Sequence, residues 1–186
     1  EKFRALAETH PASTFITQGD RYRFVNKAMQ QALGYSEAEL LQMNFWSAVH
    51  PDFVDLVKER AWARQRGEDV PGEYEIKFVT KSGETRWGLV SAAPIVYEGA
   101  PAILGGILDI TERKVAEVSL GASEAKFRML AETVPAATFI AQKGRLCFAN
   151  SMAASLLGYS QEELVGTPFY DVVHVDMHQL GESRGA

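Results

Sequence analysis

The side chains of this sequence best suited to chemistry are four histidines and one cysteine. Only His174 and His178 have a spacing, four residues, that would place two metal ligands on one helix face. The sequence contains no set of residues for a hydrolase triad, no glycine-rich phosphate loop and no carboxylate pair. We therefore expect no catalytic residue and no metal site. We interpret His50 and its repeat partner His174 as structural residues that form a local hydrogen bond.

Composition limits the class of protein further. The 186 residues are 46% hydrophobic and 23% charged, which is typical of a soluble globular chain. The net charge of -5 gives no reason to expect nucleic acid or an anionic membrane as a partner. No apolar run is long enough to span a bilayer. Cys147 is the single cysteine, so no internal disulfide can form, and its apolar surroundings predict that it is buried.

The sequence contains an internal repeat. Residues 2–52 match residues 126–176 at a constant offset of 124, without a gap and with about half of the positions identical. Such a duplication predicts two copies of one fold in tandem. The second copy ends before anything that corresponds to the later strands of the first, so we expect the chain to be a piece of a longer protein.

Helix signals recur at the same places in both copies. In the first copy, Asn26 is a predicted N-cap, Gly34 a predicted helix end, and Ser36 with Glu39 a capping box. The second copy repeats them at Asn150, Gly158, Ser160 and Glu163. Further along the first copy, Asp52 is the predicted cap of a helix that ends near Gly67.

Alternation of apolar and polar residues predicts the strands of the first copy. Two short runs around Gly19 form a hairpin, and three longer runs, joined by tight turns, form an antiparallel meander. The predicted fold class is α+β, with a five-stranded antiparallel sheet covered by helices. A polar helix over residues 111–133 is expected to follow the last strand.

The order of these elements and motifs resembles a known family. Gly34-Tyr35-Ser36, His50-Pro51, Trp87 and a closing Asp109-Ile110-Thr111-Glu112-Arg113-Lys114 occur in the order of a PAS sensory domain of the S-box type with its PAC motif. The resemblance implies a sheet and helices around a core that holds a small molecule in some members. It also implies that terminal helices transmit the signal.

On this basis we expect a lead-in helix over residues 1–10 and a complete PAS domain over residues 11–111. A helical linker would follow over residues 112–134, and the first half of a second PAS domain over residues 135–186. We expect a cytoplasmic location, and the sequence leaves open whether the parent protein is anchored in a membrane.

Candidate site residues fall into three groups. Aromatic residues of the helices and small residues of the sheet could form a ligand pocket or fill the core: Phe45, Trp46, Phe53, Trp62, Ser91 and Gly105. The resemblance implies a signal relay where the last strand becomes a helix, at Asp109 and Thr111, with Lys81 or Arg86 as the basic partner of Asp109 and Trp87 beside it. Apolar residues of the terminal and linker helices are candidates for a dimer contact: Phe3, Leu6, Val115 and Val118.

Two cofactors known in this family lack their residues here. The flavin-binding branch uses a cysteine in an Asn-Cys-Arg-Phe motif, whereas this region reads Asn44-Phe45-Trp46-Ser47. Haem-binding members commonly supply an axial histidine from the helix that here spans residues 52–66, which contains none. The identity of any ligand is therefore unknown, and a noncovalent flavin or other small molecule remains compatible with the sequence.

The predicted function is a non-catalytic sensory module that relays binding of a ligand or partner to a downstream output domain. The resemblance suggests a histidine kinase of a two-component system, or a diguanylate cyclase or phosphodiesterase, as that output. Two alternatives stay open: a ligand-free dimerisation scaffold, and a redox sensor with a noncovalent flavin. A homodimer through the terminal and linker helices is the expected assembly.

Overall fold

A computed structural model describes residues 7–8 and 11–172, and it divides the chain into the units Glu1–Ala116 and Glu117–Ala186. Phe3 and Leu6 of the predicted dimer contact and His174 and His178 lie outside the described residues. The elements of the first unit are β1 Ser13–Gln18, β2 Arg21–Val25, α1 Lys27–Leu33, α2 Glu37–Gln42, α3 Pro51–Gln65, β3 Glu73–Val79, β4 Thr85–Tyr97 and β5 Ala100–Asp109. Those that follow are α4 Thr111–Thr133, β6 Phe139–Gln142, β7 Arg145–Ala149, α5 Ser151–Leu157, α6 Gln161–Leu164 and α7 Phe169–Val172.

The first unit is built on a five-stranded antiparallel sheet in the order β2-β1-β5-β4-β3. β5 is the last strand in sequence but the central one in space, and it pairs with both β1 and β4. Helices pack on one face, so the predicted α+β fold class is confirmed. We call this the inner face, since the strands direct Phe15, Ile76, Phe78, Val90 and Ile103 into the core there.

A close approach between two strands fixes part of this core. Phe15 of β1 is paired with Gly105 of β5, and a Cβ added to Gly105 would lie 2.3 Å from the Phe15 ring. The ring therefore occupies the space that the missing side chain leaves above the sheet. Gly105 is needed at this position for its lack of a side chain.

The predicted helix boundaries hold except at one cap. Asn26 caps α1, Gly34 ends it in the left-handed conformation at φ 77°, and the capping box of Ser36 and Glu39 opens α2. For α3 the N-cap is His50, whose Nδ1 accepts from the Asp52 amide at 3.3 Å. The prediction of Asp52 as the cap was wrong. Pro51 occupies the first helical position, so the N-cap is the residue before it, His50.

The described part of the second unit repeats the start of the first. β6 and β7 form a hairpin, and α5, α6 and α7 follow it. A small cluster of buried residues holds them together: Leu146, Ala149, Ala153, Ala154 and Leu164. Cys147 is exposed, so its predicted burial was wrong. In β7 the alternation directs Leu146 and Phe148 inward and turns Cys147 to solvent.

α4 leaves the last strand of the first unit and covers the predicted range, Thr111–Thr133. Its side chains are exposed over most of its length, and Ala131 near its end is buried. The helix is thus packed against other parts of the fold near its two ends rather than along its middle.

Candidate functional site

The inner face of the first unit encloses a small cavity. Its volume is about 50 Å³, and we call it the core cavity. The wall is mostly apolar and comes from the sheet, from α1 and α3, and from the segment between α2 and α3; it includes Phe15, Met29, Phe45, Val57, Ala61 and Ile107. The volume is far below the roughly 300–1,000 Å³ of pockets for drug-sized ligands. In this conformation the interior is almost filled by its own side chains.

Polar residues in the wall of the core cavity are Thr17, Tyr22, Tyr74 and Arg64. The Tyr22 hydroxyl donates to the Phe45 carbonyl at 2.9 Å. Burial raises the pKa of Tyr22 and also that of Tyr74, so both phenols stay neutral at ordinary pH. The polar side chains of the wall are therefore neutral hydroxyl groups and one cation.

Arg64 is the charged group of this wall, and its side chain is buried with the residue only 4% exposed. Its guanidinium donates to the backbone carbonyls of Arg60, at 3.5 Å, and of Pro71. It also lies 5.4 Å from the centre of the Tyr74 ring. The Arg60 guanidinium lies over the same ring, 4.3 Å from its centre, so two cations lie beside the Tyr74 ring.

Of the six residues predicted for a ligand pocket, Phe45 lines the core cavity. The side chains of Trp46, Phe53 and Trp62 lie outside its wall. Trp46 contacts Phe45 and Trp62 edge to face, at centroid distances of 4.8 Å and 6.3 Å, and Trp62 is 42% exposed. Helical spacing explains this, because Val57, Ala61 and Arg64 of α3 form the stripe that faces inward and Trp62 lies off it.

The two predicted sheet residues are also placed away from the open space of the core cavity. Ser91 is exposed, and its register with Gly106 and Glu73 puts it on the outer face of the sheet. Gly105 is on the inner face, but the Phe15 ring covers it. The sequence could not reveal either outcome, since both depend on strand register and on one side-chain position.

A second candidate region is the strand–helix junction, where β5 ends at Asp109 and α4 begins at Thr111. Asp109 accepts from the Thr111 amide at 2.9 Å and from Arg86 Nη1 at 3.4 Å. The Trp87 amide donates to Thr111 Oγ1 at 2.9 Å, and the Ile110 amide donates to the Trp87 carbonyl at 2.9 Å. These bonds tie the first turn of the helix to β4 and β5 together.

Ion pairs extend the junction onto the outer face of the sheet. Glu75 of β3 accepts from Arg113 and Lys114 of α4, each at 2.6 Å, and the Lys114 side chain lowers the pKa of Glu75. Lys114 also lies 5.5 Å from the centre of the Trp87 ring. The start of α4 is therefore held by three strands of the first unit.

Lys81, the other predicted partner of Asp109, pairs elsewhere. Its Nζ is 2.6 Å from Glu39 Oε1 in the capping box of α2. The amino group of Lys81, together with the Ser36 amide, lowers the pKa of Glu39 to about 2. Lys81 thus links the turn between β3 and β4 to α2, and Arg86 is the basic residue that reaches Asp109.

Of the residues predicted for a dimer contact, Val115 and Val118 are exposed on α4, at 63% and 72%. Apolar side chains with that exposure lie on a helix surface that the described chain itself does not cover.

The residue that sequence reasoning missed at the core cavity is Arg64. A signal was present, because Arg64 follows Val57 and Ala61 at steps of four and three residues and so continues their inward stripe. A charged residue on a stripe is usually assigned to the solvent side of a helix, and this hid its position.

Two family models match the chain. Both are described as the PAS fold, and they match residues 22–108 and residues 125–184. The chain belongs to the PAS family. One match falls in each copy of the repeat. The first includes the core cavity wall except for Phe15 and Thr17, and it ends one residue before Asp109.

Proteins similar to this chain are much longer than it is. Sporulation kinase A of Bacillus subtilis is 26% identical over 99% of this chain and 30% of its own length. A methyl sulfide methyltransferase-associated sensor of Methanosarcina acetivorans is 31% identical over 63% of this chain and 12% of its own. The chain therefore spans less than a third of the length of these curated relatives.

Among solved structures, a sensory box histidine kinase/response regulator from Burkholderia thailandensis superposes with a TM-score of 0.51 at 23% identity. The match covers 69% of this chain and 99% of that one. At this level of identity the likeness concerns the fold alone. Within the described residues, no helix of the PAS chain has the length and apolarity needed to cross a membrane.

Proposed function

We propose that the chain is a sensory PAS module in which the state of the core cavity biases α4 at the strand–helix junction. One observation carries this proposal: β5 lines the core cavity with Ile103 and Ile107 and runs directly into the junction at Asp109. A change of packing at Ile107 lies two residues from the carboxylate that holds the first turn of α4. The central strand is therefore a short path from interior to helix.

The mechanism is a shift of population between two packings. A ligand or partner that favours one packing of the core stabilises the corresponding arrangement of the junction bonds at Asp109, Thr111 and Arg86. The effect on α4 is limited by the difference in affinity of the ligand for the two states. α4 suits transmission because a continuous helix of 23 residues spans about 35 Å.

We further propose that the parent protein carries a signalling output domain, with a histidine kinase favoured over a cyclic-dinucleotide enzyme. The kinase name of the Bacillus relative and the histidine kinase name of the Burkholderia structure support this choice. In this view residues 11–111 are the complete PAS domain, residues 112–134 the linker, and the second PAS copy begins near residue 135. No residue of this stretch is assigned a catalytic role.

The proposal is tested with the purified chain and whatever small molecule it releases on denaturation, identified by absorption and mass spectrometry. Adding that molecule back to stripped protein should change hydrogen exchange in the peptide that covers Thr111 to Ala116. Asp109→Ala should abolish that change while the affinity for the molecule stays within a few-fold, because Asp109 holds the helix and not the ligand.

Glu112→Gln is the matched control, since Glu112 lies in the same first turn and is exposed. It should keep the ligand response of the wild-type chain. A large loss of affinity for the molecule in Asp109→Ala would contradict the relay. So would hydrogen exchange of α4 in the wild-type chain that is the same with and without the bound molecule.

A dimerisation scaffold is the second candidate, and the exposure of Val115 and Val118 favours it. Two such helices from two copies would bury these side chains against each other, with Phe3 and Leu6 as further contact candidates. The double variant Val115→Asp and Val118→Asp should then be monomeric in analytical ultracentrifugation at concentrations where the wild-type chain is a dimer. Glu124→Lys, a change of charge on the opposite face of the same exposed helix, is the control and should leave the dimer intact.

A further inference from the structure

Arg64 is a buried cation for which no carboxylate among the described residues serves as an ion-pair partner. Arginine is rarely this deeply buried unless it is paired. Its guanidinium donates to the neutral carbonyls of Arg60 and Pro71, and the Tyr74 phenol beside it is neutral as well. These carbonyls satisfy hydrogen bonds, but they leave the positive charge without a counter-charge.

A second cation lies close by. The Arg60 guanidinium is 4.3 Å from the centre of the Tyr74 ring, against which Arg64 also lies, and its Nη1 is buried without a hydrogen-bond partner. A buried donor left unpaired costs about 1–3 kcal/mol. Two like charges beside one ring also repel each other in a medium less polar than water. An anion beside Arg64 would offset this repulsion.

The core cavity offers the place for that anion. Arg64 belongs to its wall, as does Tyr74, while the remainder of the wall is mainly apolar. About 10–15 Å³ of such space accommodates one water, so the volume of about 50 Å³ suits a molecule of about four non-hydrogen atoms. A charged head at Arg64 and a short apolar tail toward Ile76 and Phe78 match this distribution of polarity.

We propose that the Arg64 end of the core cavity binds a short-chain monocarboxylate, of the size of acetate or propionate. This assignment names a ligand class for the proposed sensory function and rests on it. A guanidinium is well suited to a carboxylate because its planar N–H groups match the two oxygens. The methyl or ethyl group replaces empty space against Val57, Ala61 and Val90.

Propionate is the probe for the test, with propionamide as its neutral counterpart of nearly the same shape. The whole chain is titrated with each at constant ionic strength, and binding is followed by isothermal calorimetry and by the thermal midpoint. We expect saturable binding of propionate and none of propionamide. Equal responses to both would overturn the proposal, since the charge would then play no part.

Arg64→Met tests the residue. Methionine keeps an unbranched, flexible side chain that suits a buried position, whereas it removes the charge and the donors. We expect the affinity for propionate to fall about tenfold to a hundredfold, the range for a hydrogen bond to a charged group. Arg66→Met is the matched control, because Arg66 is exposed at the same end of α3 and pairs with Glu68. It should bind propionate as the wild type does.

Arg64→Lys covers the case in which Arg64→Met fails to fold. It keeps the charge but loses the planar fork, so propionate should still bind, more weakly than to wild type. Unchanged affinity in a folded Arg64→Met chain would overturn the proposal. So would chloride or nitrate that competes with propionate and stabilises the chain as strongly, since the site would then recognise an inorganic anion and not a carboxylate with its tail.

The same titration separates this inference from the relay. If propionate binds through Arg64 but exchange at Thr111 to Ala116 is unchanged, the ligand class stands and the relay fails. If propionate does not bind, while another molecule released by the chain alters that exchange, the relay stands and the ligand class fails.

Discussion

Asn26 in the first PAS copy and Asn150 in the second make the same set of hydrogen bonds. Each accepts from two backbone amides and donates to two backbone carbonyls at offsets of 124, with distances of 2.9–3.0 Å in both copies. Both side chains are fully buried. The bonds join the preceding helix, the first strand and the start of the next helix, so they define the local frame of each copy.

The copies differ in what covers that frame. In the first copy Phe15 and Ile16 are buried, at 9% and 1% exposure, beneath strands that arrive about 90 residues later. Their counterparts Phe139 and Ile140 are exposed by 43% and 42% in the described chain. Identical residues with identical local bonds thus lie in different environments. Local structure follows from local sequence, whereas a closed interior requires the rest of the sheet.

The largest expected effect comes from removing the asparagine side chain whose hydrogen bonds define the frame. Asn26→Ala leaves buried amides and carbonyls without partners and should lower the free energy of unfolding of the first copy by about 3–5 kcal/mol. All three tryptophans lie in this copy, so urea unfolding followed by tryptophan fluorescence reports on it selectively. Asn150→Ala is the comparison, and it should leave that fluorescence transition unchanged while exchange in β6 and β7 accelerates. A shift of the tryptophan transition in Asn150→Ala would show that the stability of the first copy depends on the frame of the second.

The difference in burial should appear in the phenylalanine pair. Phe15→Ala removes a buried ring above Gly105 and should cost about 3–4 kcal/mol in the same urea experiment. Phe139→Ala removes a half-exposed ring, and the cost to the second copy, read from the hydrogen exchange of β7, should be about 1 kcal/mol. Equal costs would mean that the two hairpins are covered to the same degree.

A smaller and equal effect is expected at the helix-ending glycines. Gly34 and Gly158 have φ angles of 77° and 76°, where a side chain is strained. Gly34→Ala and Gly158→Ala should each cost about 1 kcal/mol. The added Cβ has room in both copies, with the nearest atom, Cβ of Lys81, at 3.5 Å from that of Gly34. A much larger cost in the first copy alone would show that the frame is not purely local.

The smallest effect concerns acid titration of the capping boxes. The pKa of Glu39 is lowered to about 2 by Lys81 and Ser36, and that of Glu163 is lowered by the Ser160 amide. A lowered pKa in the folded state contributes stability above the ordinary value near 4.5, and this is lost as pH falls toward 2. Lys81→Met should raise the pKa of Glu39 and leave that of Glu163 unchanged, measured by carboxyl carbon NMR. An unchanged Glu39 would mean that the Lys81 contact is absent in solution.

Sequence patterns were sufficient for the local frame and for the fold class. Caps, glycine ends and strand alternation depend on neighbours within a few residues, and for this reason Asn26, Gly34 and Ser36 could be assigned without a structure. Position 52 was misassigned because His50 and Asp52 both suit a cap, and only the backbone shows which one is used.

The candidate site could be predicted only in part. Asp109 and its neighbours follow from motif order, and the choice of Arg86 over Lys81 depended on a turn that brings Lys81 to Glu39. Trp62 and Ser91 were expected near the interior, but the rotation of α3 and the register of β4 turn them away. Arg64 was missed because a charged residue is usually assigned to the solvent side of a helix, although its position continues the inward stripe of α3.

The most direct test compares two equivalent backbone hydrogen bonds whose lengths differ by 0.1 Å. The Asn26 amide donates to the Thr14 carbonyl at 3.0 Å, and the Asn150 amide donates to the Thr138 carbonyl at 2.9 Å. Hydrogen exchange of both amides, resolved by NMR on the whole chain, reports how deeply each frame is enclosed. If only the first copy has a closed interior able to govern α4, Asn26 should exchange at least about a hundredfold more slowly than Asn150. Equal protection of the two amides would contradict the account.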